Sequence, residues 1–594
     1  MKGRARPDEL SAGNEMKLAE ALSIVQRGKR RNGESFTCFL ATGINPLHLH
    51  TFLAAELGEL FPGHRIEIRQ GLYGDFPGNL DRLASSDADS GIVLMEWSDL
   101  DPRLGLRTIS AWSRSSYADI LSTVKARALK VQQSVEQACQ RMPVMLCLPT
   151  LPLPPVSFVP SWQAGSFDVE LRAVVQSVAT EMSRHSQVRI LSPQCVDLVS
   201  PLQERFDVES DLGTGFPYKL AHASALANLL ARLTRKPAPQ KGLITDLDDT
   251  LWRGIVGEVG IDGISWDLDH HSQMHAFYQR LLGALSLEGV LVAAASKNDP
   301  GVVEKALARK DLALSTRSIF PLEVSWGPKS EAVSRILKTW NIGADSVVFI
   351  DDSPLELAEV KASHPQVECI QFPTNDNKGI YDLAFRLRDM FGKSAVLEED
   401  LIRVESIRRS QANTPAETTT GKTSAAFLED LGAHIGLDFS KSPLEPRALE
   451  LVNKTNQFNL NGKRYTEASW QKYLRSPASF LLVVSYTDKF GPLGKIAVLA
   501  GRQHDSKRLR IDTWVMSCRA FSRRIEHKCL EELFAKFGVE DIEFDYAETQ
   551  RNGPLREFLS EVWGRSPKPG CTISRQWLET RGDSLRETQE MTNG

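Results

Sequence analysis

The sequence predicts a multidomain α/β protein, and three observations carry that reading. At 594 residues the chain is too long for one hydrophobic core, because domains run to roughly 100–200 residues. Strand-like apolar runs alternate with helical stretches through the first two thirds of the chain, the pattern of parallel sheets covered by helices. Apolar runs in the middle third end in clusters of acids, at the place where open α/β sheets hold their ligands. Hydrophobic residues at 42% and charged residues at 25% exclude a disordered chain and a disulfide miniprotein. A formal net charge of −4 gives no global attraction for nucleic acid or anionic lipid, so an anionic ligand has to be captured locally.

Residues 1–34 are polar and basic and predict a flexible arm with one short amphipathic helix over 15–27. The first α/β unit spans 35–233. Its strands are expected near 36–41, 90–97, 144–148 and 188–191, and its helices over 47–60, 117–140, 169–185 and 221–233. The Pro-rich basic stretch that follows, Thr234-Arg235-Lys236-Pro237-Ala238-Pro239-Gln240, continues neither a helix nor a central strand and marks a boundary. A second α/β unit covers 241–393, a charged helical segment and Thr/Ser/Ala-rich linker 394–425. The third unit, 426–575, mixes helices (445–454, 521–537) with strands (479–487, 495–502, 508–516, 541–545), and 576–594 form a polar tail. The eight cysteines show no C-x-x-C pair and no zinc-ligand spacing, which favours reduced thiols. The basic N-terminus is not followed by a signal-peptide core, and no apolar run reaches ~18 residues, so the expected location is cytoplasmic and off the membrane.

The middle unit carries the chemistry. Leu243-Ile244-Thr245-Asp246-Leu247-Asp248-Asp249-Thr250 is an apolar strand ending in carboxylates. Like charges packed so closely repel and raise one another's pKa unless a cation offsets them. A solvated acidic turn is the plain alternative. A second apolar run ends in Ser296-Lys297-Asn298-Asp299-Pro300, where a hydroxyl can donate to phosphate and Asp299-Pro300 opens a helix. Lys329 opens the amphipathic stretch 330–340, a place from which an ammonium can offset phosphate charge. A third run ends in Asp351-Asp352-Ser353-Pro354, with Ser353 and Glu356 as a capping box.

Asp-x-Asp-x-Thr, Ser, Lys and Asp-Asp, in that order and each at or near a strand end, resemble the haloacid dehalogenase superfamily of phosphoryl-transfer enzymes. The resemblance implies Asp246 as nucleophile, forming an aspartyl-phosphate, and Asp248 as general acid and then base. It implies Mg²⁺ held by Asp246, the backbone carbonyl of Asp248, and Asp351, with Asp352 in support. Thr250 and Ser296 would hold phosphate oxygens, Lys297 and Asn298 would join the substrate-binding set, and Lys329 would offset equatorial charge. The chain between Thr250 and a helix starting near Ser272 is too short for a large cap, which predicts an open site that admits a tethered substrate.

Leu247–Gly260 reads Leu-Asp-Asp-Thr-Leu-Trp-Arg-Gly-Ile-Val-Gly-Glu-Val-Gly and is similar to the FkbH-like branch of that superfamily. So are Asn453-Lys454-Thr455-Asn456-Gln457-Phe458-Asn459-Leu460, Asp488-Lys489-Phe490-Gly491 and Trp514-Val515-Met516-Ser517-Cys518-Arg519. This likeness covers 241–565. It implies an enzyme that loads the glyceryl group of 1,3-bisphosphoglycerate onto the phosphopantetheine thiol of an acyl carrier protein and removes the phosphate, for polyketide-type biosynthesis. Arg253 departs from the small residue expected there; a guanidinium grips an anion bidentately or narrows the entrance.

The third unit resembles the Gcn5-related acetyltransferase fold, whose central strand splays to admit a pantetheine arm. Its phosphate-binding turn has no Gly here, which shifts anion contact from backbone to Arg519, Arg523 and Arg524. Cys518, at a strand end before those arginines, is either an acyl relay with a lowered thiol pKa or a buried core cysteine. Asn456 and Asn459 either orient an acyl carbonyl or pantetheine amides, or form turns. The first unit resembles SGNH hydrolases with a flavodoxin-like sheet, without the nucleophilic Ser after its first strand, which implies a degenerate or docking role. A rival reading keeps only a phosphatase for a soluble phosphomonoester, with the outer units as scaffold. A third makes the chain an acyltransferase module whose acidic site has lapsed.

Overall fold

The computed structural model describes residues 16–30, 33–108, 113–235, 239–393, 396–412, 432–441, 445–455, 457–489, 491–517, 520–521, 523–549 and 552–576. It is a multidomain α/β protein with two parallel sheets and one mixed sheet. The chain forms two compact units: Leu10–Pro237 with Tyr465–Tyr473, and Ala238–Arg464 with Leu474–Gly594.

The first unit is built on five parallel strands: β1 (Ser35–Ala41), β2 (Arg65–Gln70), β3 (Ser90–Leu94), β4 (Val144–Cys147) and β5 (Val188–Ile190). Their order, β2-β1-β3-β4-β5, is that of flavodoxin-like sheets. Alternation along β1 shows why helices cover both faces. Phe36, Cys38 and Leu40 join a core with the helices Leu18–Lys29, Leu47–Leu60 and Leu220–Thr234. Phe39 and Ala41 join the opposite core, with Phe76–Ser85, Arg114–Cys139 and Ser166–Met182. A strand with both faces buried is the expected state of a parallel sheet.

The second unit holds two sheets. The first comprises β6 (Gly242–Thr245), β7 (Leu291–Ser296), β8 (Ile319–Val324), β9 (Val347–Asp351) and β10 (Glu368–Gln371). All are parallel, in the order β10-β9-β6-β7-β8. Leu243, Val292, Val348 and Ile350 pack toward the helices Gln273–Leu287 and Asn377–Phe391. Ile244, Ala293, Ala295 and Phe349 pack toward Lys329–Trp340.

The second sheet comprises β11 (His434–Asp438), β12 (Phe458–Asn459), β13 (Ser479–Asp488), β14 (Gly491–Gln503), β15 (Arg508–Met516), β16 (Asp541–Phe544) and β17 (Thr572–Ser574). Among the described residues of this sheet, only β15 and β16 pair in parallel, over Arg508–Ile511. Further along β15, Val515 and Met516 pair with β12 instead, and Leu460 N–H donates to the Trp514 carbonyl at 3.0 Å. The Asn461 amide bonds the carbonyls of both Asp512 and Asp545, at 2.9 and 3.0 Å. The gap expected to admit a pantetheine arm between diverging strands is thus filled by residues 458–461 of the chain itself. No described helix is long and apolar enough to cross a membrane, and none of the seven described cysteines forms a disulfide.

Candidate functional site: a carboxylate cluster at the switch point of the second parallel sheet

Winding proceeds from β6 through β7 to β8 on one side and from β9 to β10 on the other, so its direction reverses at β6. The crevice outside the carboxyl ends of such strands is the place for a ligand. Asp246 follows the last residue of β6, and its N–H donates to the Ile350 carbonyl at 2.9 Å. That bond sets it level with Asp351, the last residue of β9. The apolar strand residues are what hold these two acids in place: Leu243, Ile244, Val348, Phe349 and Ile350 are fully buried.

Lys329 opens the helix Lys329–Trp340 and sends its ammonium between the two acids. Nζ lies 2.8 Å from Asp246 Oδ1 and 2.6 Å from Asp351 Oδ2. Asp246, Asp351 and Asp352 each offer a carboxylate oxygen within 4.8 Å of the others. Three carboxylates around one ammonium leave an excess of negative charge in a buried place, and hard oxygen donors suit a hard divalent cation. These three residues could hold one. Burial pushes Asp246 up to about 7, with Asp351 adding to the rise against the pull of Lys329. Asp352 is raised by its partial burial and then by Asp351 and Asp249. Burial opposes the charge on Lys329, yet Asp246 and Asp351 together hold its pKa above the ordinary value.

Asp248 stands apart from this trio. Its Oδ1 accepts from Trp252 Nε1 at 2.9 Å and from Val256 N–H at 3.1 Å, and its Oδ2 accepts from Asn298 Nδ2 at 2.8 Å. A carboxylate so fixed has one orientation, which suits proton transfer better than side-chain metal ligation. The turn carrying it is tight: Asp249 has φ 48°, a left-handed conformation that a short polar side chain tolerates, and its Oδ1 accepts from Gly254 N–H at 2.7 Å. Thr250 is fully buried with no partner for its Oγ1 among the described residues, as expected where a ligand oxygen belongs. Ser296, at the end of β7, accepts from Asn298 Nδ2 at 3.3 Å. Between residues 253 and 272 the chain adds one four-residue helix, Val256–Val259, and no cap domain.

Asp246, Asp248, Thr250, Ser296, Asn298, Lys329, Asp351 and Asp352 therefore converge at one sheet edge. Other candidates have different neighbours. Lys297 pairs with Glu356 at 2.8 Å. Arg253 is exposed and donates to the carbonyls of His270 and His271 at 3.3 and 3.4 Å, with no bond to the acidic cluster. The Asn459 side chain is committed to a turn, with Oδ1 accepting from the Asn461 and Gly462 N–H groups and Nδ2 donating to the Thr455 carbonyl. Cys518, Arg519 and Asn456 lie outside the described residues. Two functional neighbours escape a reading of the sequence, Trp252 and Glu356. Trp252 carries an indole N–H four residues from Asp248, but only the fold aims it. Glu356 announces itself as a helix-capping residue, and its grip on Lys297 spans 59 positions.

No protein-family model matches the chain, and no curated protein sequence matches it. Among solved structures, the chain is similar to the N-terminal part of the protein BF1531 from Bacteroides fragilis, which contains a phosphatase domain complexed with Mg. Identity is 19%, the match spans 63% of this chain and 99% of that one, and the TM-score is 0.47. A second match is a GCN5-related glucosamine N-acetyltransferase region of a fungal multi-domain GH3 beta-N-acetylglucosaminidase, at 11% identity, 93% and 67% coverage, and a TM-score of 0.16.

Proposed function

We propose that the carboxylate cluster is a Mg²⁺-dependent phosphatase site of the haloacid dehalogenase type. The observation that carries this reading is the separation of two carboxylates by role: Asp246 lies in the charged trio beside Lys329, and Asp248 is fixed outside it by Trp252 and Asn298. Asp246, Asp351 and Asp352 would hold the cation, along with the Asp248 backbone carbonyl. When bound, it neutralises phosphate charge and favours the ionised form of Asp246. The Asp246 carboxylate attacks phosphorus while the bond to the leaving oxygen breaks, and Asp248 gives that oxygen its proton. Asp248 then takes a proton from water as it attacks the aspartyl-phosphate, freeing inorganic phosphate and restoring Asp246. Thr250 Oγ1 and Ser296 Oγ hold phosphate oxygens, and Lys329 balances the charge that spreads over them.

On the resemblance to the FkbH-like branch, the full activity would be glyceryl transfer from 1,3-bisphosphoglycerate to a carrier-protein thiol followed by this dephosphorylation. Cys518 is the candidate relay, and the mixed sheet the candidate acyl-transfer module. The first unit fits a non-hydrolytic SGNH-like role. Thr42 and Gly43 follow β1 where a nucleophilic Ser would stand. Ser200, His222, Thr150 and Glu96 form a buried chain of hydrogen bonds closed to substrate. Residues 458–461, which fill the gap beside β15, favour the narrower second reading, a phosphatase for a soluble phosphomonoester. One experiment separates them: incubate the chain with Mg²⁺, a 1,3-bisphosphoglycerate-generating system and a carrier protein, and weigh the carrier. A glyceryl adduct supports coupled transfer, and phosphate release without adduct supports the phosphatase alone. Full phosphate turnover by Asp246→Asn would overturn the nucleophile assignment.

A further inference from the structure

The amino edge of the same sheet, opposite the carboxylates, borders a second site of inverted charge. A cavity of ≈ 640 Å³ in the second unit is lined by Lys241, Arg403, Arg447 and Lys454 against two carboxylates, Glu450 and Asp345. Arg447, Glu450 and Lys454 lie three and four residues apart on the helix Pro446–Lys454, hence on one face. Glu450 is shared: its oxygens lie 2.7 Å from Arg447 and 2.7 Å from Lys454. One carboxylate therefore answers two cations. Arg403 is paired with Asp400 at 2.5 Å. The Lys241 ammonium makes no hydrogen bond or ion pair among the described residues, and Arg447, only 7% exposed, leaves its Nε buried with no partner.

A half-buried ammonium with no anionic partner forfeits part of its hydration. Burial, and then Arg403, Lys454 and Arg447, pull the Lys241 ammonium down to about 8. An orphaned guanidinium N–H is likewise rare unless a ligand or ion completes it. The remaining lining suits an organic molecule rather than a bare ion. Trp340, Leu451 and Met516 give apolar wall, and Asn453, Thr455 and Gln457 give amide and hydroxyl groups.

We propose that this cavity is an anion-binding site that takes a phosphorylated small molecule. Four cations against Glu450, Asp345 and Asp400 leave a net positive charge for a phosphate, and its volume lies in the range of small-molecule pockets, roughly 300–1,000 Å³. It is distinct from the carboxylate site. Lys241 immediately precedes β6 and Asp246 immediately follows it, so the two sites lie at opposite ends of one strand, about 16 Å apart at ~3.3 Å per residue. The proposal stands whichever reaction the carboxylates perform.

The test uses the full chain with Asp246→Asn in EDTA, which removes turnover and leaves the carboxylate edge without a cation to hold phosphate. Titration with 3-phosphoglycerate, followed by calorimetry, should give saturable one-to-one binding that weakens as salt rises. Lys241→Met, which removes an unpaired charge and keeps the side-chain length, should weaken binding about tenfold or more, ~1.4 kcal/mol, with an unchanged or higher melting temperature. Glu450→Gln, which frees two cations, should tighten it. Absence of saturable binding up to ~10 mM, the upper range of weak affinities, overturns the proposal. So does binding that Lys241→Met and Glu450→Gln leave unchanged.

Discussion

Lys329→Met tests the carboxylate site as a charge balance. The ammonium is 4% exposed and bridges Asp246 and Asp351 at 2.8 and 2.6 Å. Methionine fills the same space but leaves two buried carboxylates facing each other, a loss of about 3–5 kcal/mol by the cost of stranding one member of a buried pair. That is a large share of a stability of ~5–15 kcal/mol. The size of the loss should depend on the cation. A ligand at a hundred times its dissociation constant stabilises by about 2.7 kcal/mol, and a site with one more uncompensated negative charge should bind Mg²⁺ more tightly. Urea unfolding followed by tryptophan fluorescence, in EDTA and in 10 mM Mg²⁺ (a test condition well above ordinary Mg²⁺ affinities, roughly millimolar or tighter), should show a larger Mg²⁺ shift in Lys329→Met than in the parent chain. Phosphatase turnover should fall by roughly 10²–10³, the loss typical of one preorganised electrostatic group. Equal unfolding of variant and parent in EDTA, or equal Mg²⁺ shifts, would refute the argument that Lys329 and a cation divide the neutralisation of this cluster.

Three further outcomes follow from single contacts. Trp252→Phe removes the indole donor to Asp248 Oδ1 and leaves a smaller ring in a fully buried place; kcat should fall about tenfold or more, within the reach of general acid–base contributions, with a shifted pH–rate profile and a loss of about 1–3 kcal/mol in unfolding. Glu96→Gln replaces an acceptor of the Thr150 hydroxyl and N–H, Leu151 N–H and Tyr218 hydroxyl with an amide whose own donor has nowhere to go, so the first unit should lose about 1–3 kcal/mol in denaturant titrations. Burial, with a contribution from Glu561, raises Glu526 to about 6 from 4.5. A raised carboxyl binds its proton more tightly in the folded state. Its stabilising contribution is therefore present below pH 4.5 and lost as pH rises through 6, at most about 2 kcal/mol at 1.36 kcal/mol per unit. Glu526→Gln should abolish that part of the pH dependence, read as the difference between the two chains' unfolding midpoints at pH 4.5 and 7.

What was legible in the sequence is what local pattern controls. Apolar runs fix where β6, β7 and β9 end, so Asp246, Ser296 and Asp351 could be placed at one sheet edge from the strand signal alone. Edge strands were not legible, for a physical reason. β2 alternates arginine and glutamate with isoleucine and is mostly exposed, and β8 contains Pro321, a residue that argues against a strand except at an edge. Side-chain partners reached across loops were also hidden. Nothing local says that Asn298 turns back to Asp248, or that residues 458–461 insert beside β15. Asn459 illustrates the limit: the pair of asparagines at 456 and 459 is compatible with ligand contact or turn formation, and for Asn459 the backbone bonds decide for the turn.

The two sites in the second unit explain each other electrostatically. Three carboxylates need a cation before an anionic phosphate can approach Asp246, whereas the Lys241–Arg447–Lys454 cavity attracts an anion with no metal at all. A phosphorylated ligand therefore meets opposite conditions at the two ends of β6: capture by fixed positive charge at the amino edge, and metal-gated admission at the carboxyl edge. Removing Mg²⁺ should silence the second and leave the first intact. The amino-edge site borders the end of β15 in the mixed sheet and the helix Pro446–Lys454 that packs on that sheet. Fusion of the two sheets into one compact unit thus creates a binding surface that neither sheet has alone, and this gives the mixed sheet a role in ligand capture even where residues 458–461 close the gap beside β15.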